Sequence, residues 1–196
     1  MLKLINFIAF QLGWFGCLLT VRKSDASFGI GIVTAILLLH LVLSTDSRRE
    51  ALLILVTIAI GAVMDGVNIA AGLFVVGTPN VASWLPPTWL LAIWALFATT
   101  LNSSLAWLQG KLWLSAVFAA VAGPASYLAG ARLTRSQISF PISGQADAFL
   151  EWSPERVISW PSGRPLLILA IEWGVVFPLL LWVARRLRPP WGEQSD

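Results

Sequence analysis

Apolar runs of about 20 residues recur along this chain, separated by short polar turns. A helix of that length crosses a hydrocarbon core of about 30 Å. Inside such a core only helices and closed barrels satisfy their own backbone groups. Charged residues make up 12% of the chain, against about 25% in soluble domains, and mean hydropathy is +0.78. A soluble domain of this size would lack the polar surface to cover so much apolar side chain. The runs predict an all-α, polytopic transmembrane helix bundle of about six spans, at 2–21, 27–44, 51–70, 88–108, 112–131 and 165–184. Residues 1–196 then form a single integral membrane domain, with an interfacial loop at 132–164. Five spans remain the alternative if one run lies at the interface.

A net charge of +3 does not point to nucleic acid, because the basic residues sit in short turns and near the C-terminus, where membrane proteins keep them. With six spans, one side holds Lys3, Arg48, Arg49, Lys111, Arg185, Arg186 and Arg188. The other holds Arg22, Lys23, Arg132, Arg135, Arg156 and Arg164. The three arginines near the C-terminus favour cytoplasmic placement of both termini. Cys17 is the single cysteine, which excludes an internal disulfide and a cysteine-rich zinc site. In its Trp-Phe-Gly-Cys context it reads as a small buried hydrophobe and not as a lipoprotein or cleaved signal.

Residues 84–132 hold the features that a merely lipid-soluble hairpin does not need. Pro86-Pro87 precede the fourth run, and Asn102, Ser103 and Ser104 fall inside it. The turn Gln109-Gly110-Lys111 forces the fourth and fifth spans to be antiparallel neighbours. In the fifth, Ser115, Ala119 and Gly123 form one small-residue row, and Ala122, Ser126 and Gly130 another. Such rows let helices approach closely, while Pro124 kinks the helix. The third run exceeds one span, so a helix to about residue 70 followed by an interfacial or re-entrant piece to Gly77 is expected. Of the eleven tryptophans, Trp84, Trp89, Trp107, Trp113, Trp160, Trp182 and Trp191 fall near span ends, where indoles anchor helices. Trp14, Trp94 and Trp173 lie deeper, as packing residues or as the lining of a pocket for an apolar ligand.

Charged groups near the bilayer centre cost about 2.5 to 3.5 kcal/mol each, so Asp65 and Glu172 require explanation. Alternating helix directions put Asp65, Asn68, Glu172 and Arg132 at one level, on the side of the linker 78–87. Asn102, His40, Ser103 and Ser104 fall in the other half. The first group reads either as an ion pair of Arg132 with a carboxylate, or as a cavity with catalytic or proton-carrying carboxylates. His40 has neither a second histidine nor a cysteine to complete a metal site, and Ser103-Ser104 lack a nucleophile elbow. No phosphate loop, dinucleotide fingerprint or zinc motif occurs, so neither a metal nor a cofactor is expected.

Several strings carry a family resemblance: Pro87-x-Trp89, Trp94, Phe97, Asn102-x-Ser104-Leu105-x-Trp107-Leu108 and Gly123-Pro124-x-x-Tyr127-x-x-Gly130. With Asn6-Phe7, Gln11-x-Gly13-Trp14, and Glu172-Trp173 with Pro178, they resemble a family of small bacterial inner-membrane proteins known as domain of unknown function 2878. The resemblance covers nearly the whole chain. It implies a multi-span protein of the bacterial inner membrane, in the company of enzymes that modify membrane fatty acids, and supplies no catalytic residues. Pro86-Pro87-x-Trp89 with Trp94 is also locally similar to the tryptophan-rich sensory or translocator proteins, over about ten residues.

The expected function is accordingly an integral membrane protein that binds or moves a lipid or other apolar molecule, or assists a lipid-modifying enzyme as partner. Membrane lipids are the expected contacts, nucleic acid is not, and the oligomeric state is open. Two rival readings are an intramembrane enzyme using Asp65 and Glu172 as acid and base, and a proton-coupled small transporter.

Overall fold

The structure, a computed structural model, describes residues 2–23, 25–77, 85–134, 138–140 and 163–187. Six helices follow one another: α1 (Leu2–Val21), α2 (Ser27–Leu43), α3 (Ser47–Ala70), α4 (Thr88–Leu101), α5 (Leu112–Thr134) and α6 (Gly163–Leu187). Between them lie two strands of two residues, β1 (Val75–Val76) and β2 (Ile138–Ser139), paired antiparallel with Val75 opposite Ser139. The molecule is an all-α bundle. Among the described residues α1, α3, α5 and α6 are long and apolar enough to cross a membrane, whereas α2 and α4 are apolar but shorter. The chain is therefore a membrane protein, with four full-length spans where six were expected. Outward-facing Leu12, Val42, Leu55, Val63, Val117, Val121 and Val175 are all exposed, as a lipid-facing surface requires.

The fourth helix accounts for part of that difference. It stops at Leu101 and does not continue to residue 108. Fourteen residues give roughly 21 Å at 1.5 Å per residue. Asn102, Ser103 and Ser104 follow in turns, and Ala106–Leu108 make one 3-10 turn. Short polar side chains compete with helical backbone bonding, and three of the carbonyls freed by the break find donors. Thr100 O accepts from the Ser103 and Leu105 N–H groups at 3.0 and 2.9 Å. Leu101 O accepts from Gln109 Nε2 at 2.9 Å, and Thr99 O from Asn6 Nδ2 at 3.1 Å.

Helix α3 starts where Asp46 caps it, its carboxylate accepting the Arg49 N–H at 3.1 Å. It ends at Ala70, close to the expected boundary. The segment after it is not helical. Gly72 adopts φ +67°, a conformation glycine takes without strain, and the chain turns into β1. Phe74 is fully buried there, with ring centroids 5.5 Å from Tyr127 and 6.0 Å from Phe140.

The main packing partners are α1 with α2, α3 with α4, and α5 with α6. Helices α1 and α2 meet at Gly29, where an added Cβ would lie 2.6 Å from Cys17 Cα and 2.7 Å from the Gly16 carbonyl. Cys17 is buried as a free thiol beside Val33 and Leu96. Asp25, in the turn between these helices, accepts the Ser27 N–H at 2.9 Å, which holds its carboxyl below the ordinary value.

Trp107, Trp113 and Trp182 are exposed near helix ends, with Lys111 over the Trp107 ring and Arg186 over that of Trp182. Trp89 departs from the anchoring expectation. Only 1% exposed, it begins α4 on the face that turns inward. Trp84, Trp160 and Trp191, together with most of the expected interfacial loop 132–164, lie outside the described residues.

Candidate functional site

Helices α1, α4, α5 and α6 enclose a cavity of about 240 Å³, just below the range of about 300–1,000 Å³ typical of ligand pockets. Its walls are aromatic and aliphatic. All three deep tryptophans, Trp14, Trp94 and Trp173, line it, with Phe10, Phe97 and Phe177. Along α1 it runs from Phe7 to Leu18, and along α5 from Phe118 to Gly130. Eleven or twelve residues at 1.5 Å each make a slot roughly 17 Å long. Phe7 and Phe118 line the slot and are also 49% and 42% exposed. The slot thus opens sideways, between α1 and α5, towards the lipid-facing surface.

Part of the slot exists because of the small-residue rows in α5. Gly123 receives the indole of Trp173, so the close approach expected of the first row is to a side chain of α6. Ala122, Ser126 and Gly130 form slot wall, and do not contact a further helix backbone closely enough to close the space. Gly61 on α3 gives the same relief to Trp94. The two indoles stack with centroids 5.0 Å apart and planes 8° from parallel, an offset arrangement that aromatic quadrupoles favour.

Behind this aromatic wall lies a polar network. Asp65 is completely buried. Trp94 Nε1 donates to its Oδ2 at 2.7 Å, and the Tyr127 hydroxyl donates to its Oδ1. One turn further along α3, Asn68 Nδ2 donates to Glu172 Oε2 at 2.7 Å. Residues three apart share a helix face, so Asp65, Asn68 and Glu172 do occupy one level, at the interface of α3 with α6. Neutral donors hold Asp65, where the sequence offered Arg132 as a counter-charge; Arg132 is exposed near the end of α5. Asn68 Oδ1 is buried with no hydrogen-bond partner among the described residues, while the Trp173 indole N–H is directed at the Tyr127 hydroxyl oxygen.

Asn102, the remaining candidate, belongs to a separate network at the opposite end of the bundle. Its Nδ2 donates to Glu50 Oε1 at 2.8 Å, and its Oδ1 accepts from Gln109 at 3.0 Å. His40 Nε2 lies 3.1 Å from Glu50 Oε2. Nearby, Asn6 Oδ1 accepts from the Ser104 hydroxyl at 2.8 Å. These bonds tie the ends of α1, α2 and α3 to the broken end of α4. Among the described residues no group of three or more histidine, cysteine or acidic side chains could hold a metal ion.

Sequence reasoning did not single out Tyr127 as a site residue, although it is the only tyrosine in the chain. A lone amphipathic side chain in the middle of an apolar run was the available signal. It also left Glu50 and Gln109 in turns, where charge alone gave no hint of a partner.

Neither a curated protein nor a solved structure matches this chain. The sequence pattern of a family described as protein of unknown function (DUF2878) matches residues 3–153. That match covers most of the chain, including α1 to α5 and four of the slot's most aromatic positions, Phe10, Trp14, Trp94 and Phe97. The chain belongs to this family, DUF2878.

Proposed function

We propose that this protein takes up one long apolar chain from the bilayer into the slot between α1, α4, α5 and α6. The single observation that carries the reading is the slot's sideways mouth at Phe7 and Phe118, both slot-lining and exposed. Such a mouth connects the cavity to hydrocarbon and not to water. The slot's length of roughly 17 Å approaches the half-thickness of about 15 Å that one leaflet's chains span. Its aromatic walls suit a chain with no polar groups along its length. The lipids of the bilayer are therefore the natural ligands, with presentation of a chain to a lipid-modifying enzyme as the natural use. The family resemblance supports placement in a bacterial inner membrane, and Arg185 and Arg186 near the end of α6 favour cytoplasmic termini.

The acid–base and proton-transport readings draw less support. Neither Asp65 nor Glu172 lines the slot, and Trp94 and Tyr127 stand between Asp65 and any occupant.

Native mass spectrometry of protein released from gentle detergent tests the proposal. Wild type is expected to retain one lipid molecule. Ala122→Phe, which fills the slot from α5, should lose it. Val121→Phe, at a position 69% exposed on the outer face, should keep it. Equal retention by all three proteins, or no retained lipid in any, would overturn the reading.

A further inference from the structure

We propose that the lipid held in the slot is a two-chain phospholipid with a net negative head, and that Lys3 and Lys111 hold that head at the mouth. This rests on the slot being a chain-binding site, and it names the class of lipid that the site selects.

The two lysines follow from the register of the helices that flank the mouth. On α1 the slot is lined by Phe7, Phe10, Trp14 and Leu18, whose spacing of three and four residues keeps them on one helix face. Lys3 lies four residues before Phe7. It therefore extends the same face by one turn of about 5.4 Å, to the end of the helix. On α5, Lys111 stands seven residues before Phe118, two turns along the same face. Its carbonyl accepts the Ser115 N–H at 2.9 Å, so it keeps the helical register. The Lys111 ammonium lies over the Trp107 ring, 5.4 Å from the centroid. Trp107 follows closely on Ser104, which lines the slot and donates to Asn6, the neighbour of Phe7. Each helix at the mouth thus ends in a lysine on the mouth's own face.

Charge completes the argument. Lys3 and Lys111 are exposed, and neither joins an ion pair among the described residues. The described carboxylates at this end of the bundle, Asp46 and Glu50, are already met by Arg49 at 3.0 Å and His40 at 3.1 Å. No charged side chain lines the slot itself, so a charged head can be held only at its rim. A phosphate there meets two cations without counter-ions, at the end of the helices where lipid gives way to water. The sideways mouth then suits two chains. One enters past Phe7 and Phe118, and the other stays in the hydrocarbon against the exposed face of α1 and α5.

The test compares dioleoyl phosphatidylglycerol with dioleoyl phosphatidylcholine, which share their chains and differ in net charge. Each is titrated into the purified full-length protein in a neutral detergent and read by native mass spectrometry. An exposed charge pair contributes about threefold in affinity, so with two lysines wild type should favour phosphatidylglycerol about tenfold. Lys3→Gln and Lys111→Gln should each cut that preference about threefold. Arg48→Gln removes the same charge from the same end, on α3, which contributes nothing to the slot, and should leave the preference unchanged. Ala122→Phe should abolish it by filling the slot. Equal affinity of wild type for the two lipids overturns the anionic head and leaves chain binding intact. An equal effect of Arg48→Gln, or a preference that survives Ala122→Phe, overturns the lysine site at the mouth. Tighter binding of oleate than of phosphatidylglycerol overturns the phospholipid in favour of a fatty acid. Binding of neither phospholipid nor oleate overturns chain binding itself.

Discussion

The carboxylate network makes a prediction in which the sign of one substitution depends on another. Tyr127→Phe removes the donor to Asp65 Oδ1 and the acceptor of the Trp173 N–H, and no packing, since both rings fill the same space. A hydrogen bond to a charged group contributes about 1.5–3 kcal/mol, so the variant should lose about 2 kcal/mol of stability. Asp65→Leu removes both acceptor oxygens and orphans the Trp94 N–H and Tyr127 O–H, at about 1–3 kcal/mol each. It also removes a carboxyl group whose charged form costs about 3 kcal/mol in the membrane. The net effect of Asp65→Leu should therefore be modest, from about −1 to +3 kcal/mol. Once Asp65 is leucine, Tyr127→Phe removes an orphaned hydroxyl and should be neutral or stabilising by about 1 kcal/mol. The double-mutant cycle is read by unfolding in sodium dodecyl sulfate, followed by near-ultraviolet circular dichroism. A loss from Tyr127→Phe that is equal in both backgrounds would refute the coupling and the network with it.

Two further outcomes follow from the packing. Gly29→Ala places a methyl group 2.6 Å from Cys17 Cα, against backbone that cannot rotate away. It should cost about 1–3 kcal/mol, while Gly31→Ala, with nothing within 4 Å, should be neutral in the same unfolding assay. Asn6→Ala removes the donor to Thr99 O and the acceptor for the Ser104 hydroxyl. It should cost about 1–2 kcal/mol and speed amide hydrogen exchange at residues 103–105, where α4 is broken.

The helices were largely legible because length and hydropathy report directly on membrane crossing, and α1, α3, α5 and α6 begin and end close to where the apolar runs do. The early end of α4 was not, since Asn102-Ser103-Ser104 sit in an apolar run that hydropathy averages across. What breaks the helix is a set of partners, Asn6 and Gln109, that become neighbours only after folding. The levels of Asp65, Asn68 and Glu172 followed from counting residues along alternating helices. Their actual donors did not, because Trp94 and Tyr127 were apolar or silent in the pattern, and the Trp94 indole turns inward only because Gly61 leaves room for it. Trp89 misled for a different reason. A tryptophan at a helix start reads as an interfacial anchor, yet this one faces the slot because α4 is enclosed by α1 and α3.

The most direct test of the slot as a chain-binding site is photocrosslinking in vesicles, using a phospholipid with a diazirine midway along one acyl chain and adducts mapped by peptide sequencing. Adducts are expected on inward-facing Phe97, Ala122 and Trp173, and should disappear from the slot in Ala122→Phe. Adducts confined to the outward-facing Val117, Val121 and Val175 would contradict the account.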